Sequence, residues 1–267
     1  MPELPEVETV KEGLRQSWVG KVITKVELRR PTLRFAFPDD FQLAIEGNEV
    51  LDVRRRAKYI LVDLSNGLSW LIHLGMTGRW SLEADAKKEK HDHVKIIFSD
   101  GVSAVYNDAR RFGIMDIVRG PSHKLLDHLG PEPLEDWGGE KLMNSLEGKK
   151  SAIKVAILNQ KIVVGVGNIY ASEALHRAKI SPHRPANQLS ELECERLSIC
   201  IKSVLLEAIE AGGSTLRDFR SLEGNLGYFP HYFKVYGKGS MPCECGDIII
   251  QEKQAGRSTF WCRTCQI

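Results

Sequence analysis

The feature that most constrains the fold of this chain is a series of short segments with a hydrophobic period of two between residues 22 and 118. In the first segment, Val22, Thr24 and Val26 alternate with Ile23 and Lys25, as expected for a half-buried strand. Comparable runs follow at 50–56, 59–64, 68–74, 93–98, 102–107 and 113–118. Because turn signals separate these short strands, the sequence predicts an antiparallel sandwich or barrel over residues 1 to about 130.

Helical patterns precede and follow these strands. A helix is predicted at 5–16, and the Gly/Pro-rich stretch 129–134 is typical of a domain boundary. Beyond this boundary, the clearest helix is 190–211, which begins with a capping box of Ser190 and Glu193 and carries an apolar stripe. The second half of the chain is therefore predicted to be mainly helical.

Charge and hydropathy exclude some classes of function. The formal net charge of +2 is close to neutral, so a nucleic-acid surface would have to arise from the distribution of charge. No apolar run reaches the ~18 residues that a membrane-spanning helix needs, and the N-terminus lacks the hydrophobic core of a signal peptide. We therefore expect a cytoplasmic protein without a membrane partner.

The first six residues, Met1-Pro2-Glu3-Leu4-Pro5-Glu6, permit two interpretations. Proline has a small side chain, so the initiator methionine can be removed and Pro2 left with a free secondary amine. A terminal amine titrates near pH ~8, and a fraction of it is neutral and nucleophilic at physiological pH. Alternatively, these residues simply begin a helix, with proline and acidic residues in the first turn.

Four of the six cysteines lie within the last 25 residues, at Cys243, Cys245, Cys262 and Cys265. In a reducing compartment such a cluster favours metal binding over disulfides, and four thiolates form a closed tetrahedral zinc site. Cys243 and Cys245 are separated by one residue instead of the usual two, which limits how both sulfurs can reach one metal. The other two, Cys194 and Cys200, lie in the predicted helix 190–211 and are most simply small buried residues.

Two further stretches could contact anions. The Gly-rich turn within 163–170 opens a helix, where unpaired backbone N–H groups favour a phosphate, although glycine also serves turns for structural reasons. A hairpin is predicted from strands 248–250 and 258–261, with Arg257 near its tip. This arginine is either a phosphate or base contact or a solvated turn residue.

Five stretches together identify a family. They are Pro2-Glu3-Leu4-Pro5-Glu6-Val7-Glu8-Thr9, Lys90-His91-Asp92-His93-Val94, Asp108-Ala109-Arg110-Arg111-Phe112-Gly113, Val164-Gly165-Val166-Gly167-Asn168-Ile169-Tyr170-Ala171-Ser172-Glu173 and the cysteine finger. In this order they resemble formamidopyrimidine-DNA glycosylases, bacterial repair enzymes that remove oxidised purines, and the resemblance runs along the whole chain. The opening is closer to this branch than to the related endonuclease VIII branch, where glycine usually follows the first glutamate.

The resemblance implies an α+β fold in three parts. These are an N-terminal antiparallel β-sandwich with an N-terminal helix at 1–130, a helix–two-turn–helix domain at 131–230 and a C-terminal β-hairpin zinc finger at 231–267. It also implies a bifunctional DNA glycosylase and AP lyase of base excision repair, acting on double-stranded DNA with oxidised purines (8-oxoguanine, formamidopyrimidines) or abasic sites. One structural Zn²⁺ per chain would be held by the four terminal cysteines, and we expect a monomer.

The resemblance also implies the catalytic groups. Pro2 is the nucleophile, which forms a Schiff base before β,δ-elimination, and Glu3 moves protons. Lys58 matches a basic residue that faces the DNA phosphate. Glu6 either orients the amine or neutralises the helix terminus. The mechanism requires removal of Met1, because a retained methionine would acylate the nitrogen of Pro2.

Further residues match the family's DNA contacts. Met76, Arg110 and Phe112 correspond to residues that enter the gap left in the duplex, a need that arises because a base must be extruded before it can be excised. The remaining matches concern DNA binding at His91, Lys154, Asn168 and Arg257. Asn168 and Arg257 grip phosphates and Arg257 donates a proton during elimination, whereas Lys154 either contacts the lesion or is an exposed helix lysine. Lesion preference is expected to depend on a loop within 214–230.

Two alternatives to this function stay open on the sequence. The first is a DNA-damage-binding protein without catalysis, which only the short Cys243-Glu244-Cys245 knuckle favours. The second is an oxidised-pyrimidine glycosylase of the endonuclease VIII type, which would share the chemistry.

Overall fold

The computed structural model describes residues 2–83, 89–214 and 232–267, and these divide into two compact units. Unit 1 runs to Asp127 and takes in the described residues 211–214. Unit 2 comprises His128–Glu210 and the described residues from 232 onward. The three-part division with boundaries at 130 and 230 stays a prediction.

Unit 1 begins with helix α1 (Leu4–Trp18), which confirms the helix predicted at 5–16. Pro5 in the first turn fits its start, because the missing N–H group has no helical acceptor there. The buried face consists of residues at helical spacing, including Leu4, Val7, Val10, Leu14 and Trp18.

Two antiparallel four-stranded sheets follow. Their strands are β1 (Ile23–Leu28), β2 (Val50–Arg56), β3 (Tyr59–Leu64), β4 (Ser69–His73), β5 (Arg79–Glu83), β6 (Asp92–Phe98), β7 (Ser103–Asn107) and β8 (Ile114–Val118), with a short helix α2 (Phe41–Ile45) between β1 and β2. One sheet has the order β1-β6-β7-β5 and the other β2-β3-β4-β8. The predicted strands are confirmed, whereas β5 and α2 were not predicted.

The two sheets and α1 share one hydrophobic core. At its centre the ring of Trp18 stacks on that of Trp70, with 5.8 Å between centroids, and meets Trp80 edge-on at 5.0 Å. Strand β1 departs from strict alternation, because a bulge between Ile23 and Lys25 brings both Ile23 and Val26 to the core. The core therefore supports an antiparallel sandwich.

Unit 2 is mainly helical. Its elements are α3 (Gly139–Leu146), α4 (Ile153–Ile157), α5 (Asn168–Arg177), a 3₁₀ turn (Ala186–Gln188), α6 (Glu191–Glu210), β9 (Ile250–Gln254) and β10 (Arg257–Trp261). The predicted capping box is present, since the Ser190 N–H donates to the Glu193 carboxylate over 2.9 Å and the Glu193 N–H donates to the Ser190 hydroxyl over 3.4 Å. Helix α6 packs against α3 and α5, and α5 packs against β10.

The terminal hairpin pairs β9 with β10 across a two-residue turn. The turn residues Ala255 and Gly256 both have positive φ, at 48° and 77°, as the favoured hairpin turns require. The prediction that 248–250 forms the first strand is wrong in its bounds. The reason is that the preceding turn uses this backbone: the Ser240 N–H donates to the Ile249 carbonyl over 2.8 Å, and the Ile249 N–H donates to the Met241 carbonyl over 2.9 Å.

Within the described part of the chain, no helix is both long and apolar enough to cross a membrane.

Candidate functional site

The residues after the N-terminus form a buried acidic cluster in unit 1. Pro2 is partly exposed, whereas the side chains of Glu3 and Glu6 are buried. The Glu3 N–H donates to Glu6 Oε2 over 2.7 Å, so the Glu6 carboxylate caps the start of α1. Its other oxygen, Oε1, accepts from both the backbone N–H and the hydroxyl of Ser214, each over 2.8 Å. Glu6 therefore joins the N-terminus to segment 211–214, while Met1 lies outside the described residues.

Lys58 occupies the tight turn between β2 and β3. Ala57, the preceding turn residue, has a φ of 54°, and the Lys58 side chain is only 6% exposed. Beside it is His73 of β4, whose ring lies 4.9 Å from that of Tyr59. Burial, together with the charges of Lys58 and Arg34, lowers the pKa of His73 to about 4. Near neutral pH, His73 is therefore an uncharged imidazole next to Lys58, a candidate catalytic residue. In the sequence, only its position three residues before Met76 pointed to His73.

The three predicted gap-filling residues lie on two touching loops of unit 1. Thr77 links these loops, because its hydroxyl donates to Asp108 Oδ1 and accepts from the Arg110 N–H over 3.1 Å. The Asp108 carboxylate, which is fully buried, also accepts from the Gly113 N–H over 2.8 Å. The loop that carries Arg110 and Phe112 is therefore tied to Thr77, the residue after Met76, and its two ends are joined by the contact of Gly113 with Asp108.

Backbone contact brings the two loops closer still. A Cβ atom at Gly75 would lie 2.4 Å from the Phe112 carbonyl carbon, so only glycine fits at this position. Phe112 is 41% exposed, and the Arg110 guanidinium lies 4.8 Å from the centre of its ring. Met76 is half-buried. An exposed aromatic side chain under an arginine is unusual for a core residue and suits contact with stacked bases.

His91 lies beside the same loop. Its carbonyl accepts from the Asp108 N–H over 3.0 Å, and its ring lies 6.4 Å from that of His93. The neighbouring His93 is buried, with its Nε2 2.8 Å from the Asp108 carbonyl oxygen. His93 therefore supports the loop, and His91 is the more accessible of the two.

In unit 2, Lys154 connects three parts of the chain. Its ammonium donates to Asn168 Oδ1 over 2.8 Å, to the Ser258 carbonyl over 3.0 Å and to the Thr259 hydroxyl over 2.7 Å. The side chain is only 1% exposed, so the alternative of an exposed helix lysine is wrong. A lysine is buried here because polar groups on α5 and β10 satisfy its ammonium.

Asn168 and Arg257 belong to one hydrogen-bonded assembly. Asn168 is the first residue of α5, and its Nδ2 donates to the Ser258 carbonyl over 2.8 Å. Arg257, the residue before Ser258, is exposed at the start of β10. The predicted phosphate contacts of the Gly-rich turn and of the hairpin are therefore held next to each other within unit 2.

Glu173 was missed as a structural determinant, although it closes the stretch 164–173. Its fully buried carboxylate accepts the backbone N–H groups of Lys234, Val235 and Tyr236 over 2.9, 3.0 and 2.8 Å. It anchors the described start of the C-terminal finger to α5. In the sequence, only its acidic side chain at the end of the stretch 164–173 pointed to Glu173.

The four terminal cysteines come together as predicted. Their sulfur atoms all lie within 4.8 Å of one another, with Cys243 and Cys265 3.8 Å apart and Cys245 and Cys262 3.5 Å apart. A tetrahedral ion with Zn–S bonds of ~2.3 Å requires sulfur separations of about 3.8 Å. The cluster therefore fits a metal ion despite the short knuckle, so Cys243 is a geometrically suitable ligand.

A histidine borders this cluster. Nε2 of His176 lies 3.5 Å from the Cys243 sulfur, and burial lowers the pKa of His176 to about 4. The Asp247 backbone N–H lowers the pKa of the Cys245 thiol to about 7.

Comparison with known proteins identifies the family. Residues 1–115 match the formamidopyrimidine-DNA glycosylase N-terminal domain, and residues 129–220 match the formamidopyrimidine-DNA glycosylase H2TH domain. This chain belongs to the formamidopyrimidine-DNA glycosylase family. The fold is accordingly α+β, with an antiparallel sandwich, an H2TH domain and a terminal hairpin that carries four clustered cysteines.

Relatives of this family align with the whole chain. The formamidopyrimidine-DNA glycosylases of Cereibacter sphaeroides (strain ATCC 17029 / ATH 2.4.9) and Ruegeria sp. (strain TM1040) are 47% and 46% identical, with 100% of each chain covered. Among solved structures, the MutM (Fpg) protein from Thermus thermophilus is 38% identical, with a TM-score of 0.90 and coverage of 99% of this chain and 98% of that one. A Lactococcus lactis Fpg mutant in complex with a Fapy-dG containing DNA is 34% identical, with a TM-score of 0.91 and 99% coverage of both chains.

The resemblance to formamidopyrimidine-DNA glycosylases predicts that a loop within 214–230 determines lesion preference. Of this loop only Ser214 is among the described residues. Its contact with Glu6 places the start of the segment beside the N-terminus.

Proposed function

We propose that this protein is a bifunctional DNA glycosylase and AP lyase that removes oxidised purines from double-stranded DNA. The observation that carries the proposal is Pro2 placed directly beside a buried glutamate, Glu3, which is only 4% exposed. A secondary amine next to an enclosed carboxyl group is the pair that imine-forming excision needs. The membership of the glycosylase family and a relative solved with Fapy-dG DNA support this substrate class.

Excision first requires that the damaged nucleotide leave the base stack. Met76 and Phe112 would fill the vacated space, because one is unbranched and the other is flat. Arg110 would hydrogen-bond the unpaired base opposite. The exposure of Phe112 and the ties through Thr77 support these roles.

The bond changes follow from the chemistry of a proline nitrogen. Pro2 attacks C1′ of the sugar and loses its N–H proton, the bonds from C1′ to the base and to the ring oxygen O4′ both break, and Glu3 moves the protons that the departing base and the opening ring need. The resulting iminium ion has no N–H proton to lose and stays charged. It therefore acidifies the C2′ proton, whose removal expels the 3′-phosphate, and a second elimination expels the 5′-phosphate.

Charged and polar groups would hold the DNA backbone during these steps. Lys58 of unit 1 and Asn168 and Arg257 of unit 2 each contact phosphates, with His91 as a further DNA contact. The support for the contacts of unit 2 is the hydrogen-bonded assembly around the Ser258 carbonyl. Arg257 would also donate a proton during elimination.

We further propose that the metal is one structural Zn²⁺ held by Cys243, Cys245, Cys262 and Cys265. Four thiolate ligands leave no position for a reacting water, so the ion would stabilise the finger and supply no step of the reaction. The sulfur separations support this assignment. The compact cluster also supports this assignment against a DNA-binding protein without catalysis, because only the short knuckle favoured that alternative.

Borohydride trapping tests the reaction. Protein whose intact mass shows removal of Met1 is incubated with a duplex carrying 8-oxoguanine opposite cytosine and then reduced. A covalent protein–DNA adduct through Pro2 is expected, and its absence from correctly processed protein would refute the mechanism.

Pro2→Gly separates catalysis from binding. This variant should lose most excision activity, because the nucleophile is altered, but should still bind a duplex with an abasic analogue. Equal loss of excision and binding would argue against a nucleophilic role. Excision rates on 8-oxoguanine and thymine glycol then distinguish an oxidised-purine enzyme from one of the endonuclease VIII type.

A further inference from the structure

The imidazole of His176 contacts the metal cluster from outside the finger. His176 lies in the last turn of α5, and its Nε2 is 3.5 Å from the sulfur of Cys243. Both side chains are buried, with 3% and 6% of their surfaces exposed. His176 lies beyond the stretch 164–173 and has no part in the chemistry proposed above.

A cluster of four thiolates around one divalent cation carries a net negative charge, which N–H donors to the sulfurs spread and stabilise. Burial disfavours the thiolate form of Cys262, whereas the backbone N–H groups of Cys265 and Thr264 favour it. The Asp247 N–H favours the thiolate form of Cys245, which is also exposed to water. Backbone N–H groups of the finger therefore stabilise the thiolates of both Cys262 and Cys245.

The shortened knuckle leaves Cys243 in a different position. Its own N–H donates to the Asp247 carbonyl over 2.7 Å, and the Gly246 N–H donates to the Cys243 carbonyl over 2.9 Å. The N–H groups of Cys243 and Gly246 are therefore engaged in closing the turn. Cys243 is also buried, and among the described residues the nitrogen that lies against its sulfur belongs to the imidazole of α5.

We infer that His176 is a positioning residue for the metal, whose Nε2–H donates to the Cys243 thiolate and holds that sulfur towards the ion. The inference rests on the proposed zinc site and adds to it a residue outside the finger that holds one of the metal ligands in place. Since α5 begins at Asn168, the same helix would connect the metal to a proposed phosphate contact.

The test compares two substitutions in the full-length, metal-loaded protein. His176→Phe keeps a ring but removes the donor, whereas His176→Gln places an amide N–H near the position of Nε2. We expect His176→Phe to weaken zinc binding about 10-fold to 100-fold in a chelator competition, the range typical of lost support for a metal ligand. With Co²⁺ in place of zinc, its thiolate-to-metal charge-transfer band should move to longer wavelength, while the d–d bands keep their tetrahedral four-sulfur pattern. His176→Gln should restore both the affinity and the band position.

Two results would overturn the inference. The first is His176→Phe with the zinc affinity and charge-transfer band of the wild type. The second is a changed d–d pattern in His176→Phe together with an unchanged one in Cys243→Ser, since histidine would then be a ligand in place of Cys243.

A measurement on the wild type keeps the test independent of how the variants fold. In ¹¹³Cd-substituted protein, NMR should detect a coupling between the metal and the His176 Nε2–H proton through the sulfur of Cys243, and its absence would contradict the hydrogen bond. The proposed function is tested separately. Wild-type protein that binds no metal refutes the zinc assignment, and borohydride trapping reports on Pro2 whatever the state of His176.

Discussion

The ammonium group of Lys154 donates a hydrogen bond to the side-chain oxygen of Asn168 over 2.8 Å, and both residues also donate to the carbonyl of Ser258. The amide of Asn168 is thereby oriented with Oδ1 towards the lysine. Its Nδ2 retains a second hydrogen for another acceptor. The predicted phosphate contact of Asn168 thus depends on a buried lysine and on the residue that follows Arg257.

We predict that Lys154→Met destabilises unit 2 and weakens DNA binding. The substitution preserves much of the side-chain length but leaves the acceptors on Asn168 and Thr259 without this donor, at a cost of about 1–3 kcal/mol for each unsatisfied group, while the Ser258 carbonyl keeps only the bond from Asn168. Urea unfolding should report the lost stability. Fluorescence anisotropy with an abasic-analogue duplex should report a fall in affinity of about tenfold or more.

Lys150→Met is the matched control, because Lys150 is an exposed lysine of the same unit. It removes the same charge without leaving a buried acceptor. If both variants bound DNA with the same affinity, Lys154 would act only through its charge, and the positioning role would be refuted.

We predict that Thr77→Val slows the excision of 8-oxoguanine more than cleavage at a preformed abasic site. The hydroxyl of Thr77 makes one hydrogen bond to Asp108 and receives one from Arg110, and their loss should loosen the gap-filling loops. At about 1 kcal/mol for each bond, kcat/KM for the lesion should fall roughly tenfold or more. Abasic DNA costs less to extrude, so its cleavage should change by only about twofold.

Thr77→Ser should behave like the wild type in both assays, since it keeps the hydroxyl. Equal slowing on both substrates in Thr77→Val would instead indicate a general structural defect. Far-UV circular dichroism at the assay temperature distinguishes that outcome.

Periodic elements were predictable from the sequence because their signal is local. Helix α1 and the strands around Val62 and Ile96 follow directly from the spacing of apolar residues. Strand β5 was missed because, of its apolar residues, only Trp80 is buried, while Leu82 is exposed. A single core residue in five gives no period to detect.

The candidate site could be predicted as a set of residues but not as a set of contacts. The partners of Lys154 on the hairpin lie 104 and 105 positions away, so no local pattern could show that this lysine is buried. The same holds for Glu6 and Ser214, which are 208 positions apart. Motifs identify the groups that do chemistry, whereas the polar networks that hold them form only in the fold.

We predict that His73 makes the protein less stable in mild acid. Its pKa is about 4 in the folded protein and 6.5 in the unfolded chain, so the unfolded state binds more protons between these values. The stabilisation is present above pH 6.5 and is lost as the pH falls towards 4, which amounts to about 2 kcal/mol between pH 7 and pH 5. Urea unfolding at these two pH values measures it.

His73→Asn should reduce this pH dependence. Its side-chain oxygen can accept the Gly75 N–H, which now donates to His73 Nδ1 over 3.0 Å, but the group does not titrate. An unchanged difference between pH 7 and pH 5 would show that other groups cause the acid sensitivity.

We predict that metal removal exposes four thiols per chain. While a tetrahedral ion binds all four sulfurs, neither exposed Cys245 nor half-buried Cys265 should react freely with a thiol reagent. A strong chelator should release one zinc and make four thiols reactive, because the finger depends on the ion for its structure. Cys200→Ser is the control, since it removes the half-buried cysteine of α6 without touching the cluster. Release of zinc with only three new thiols in this control would mean that one terminal cysteine, most simply Cys243 of the short knuckle, does not bind the metal.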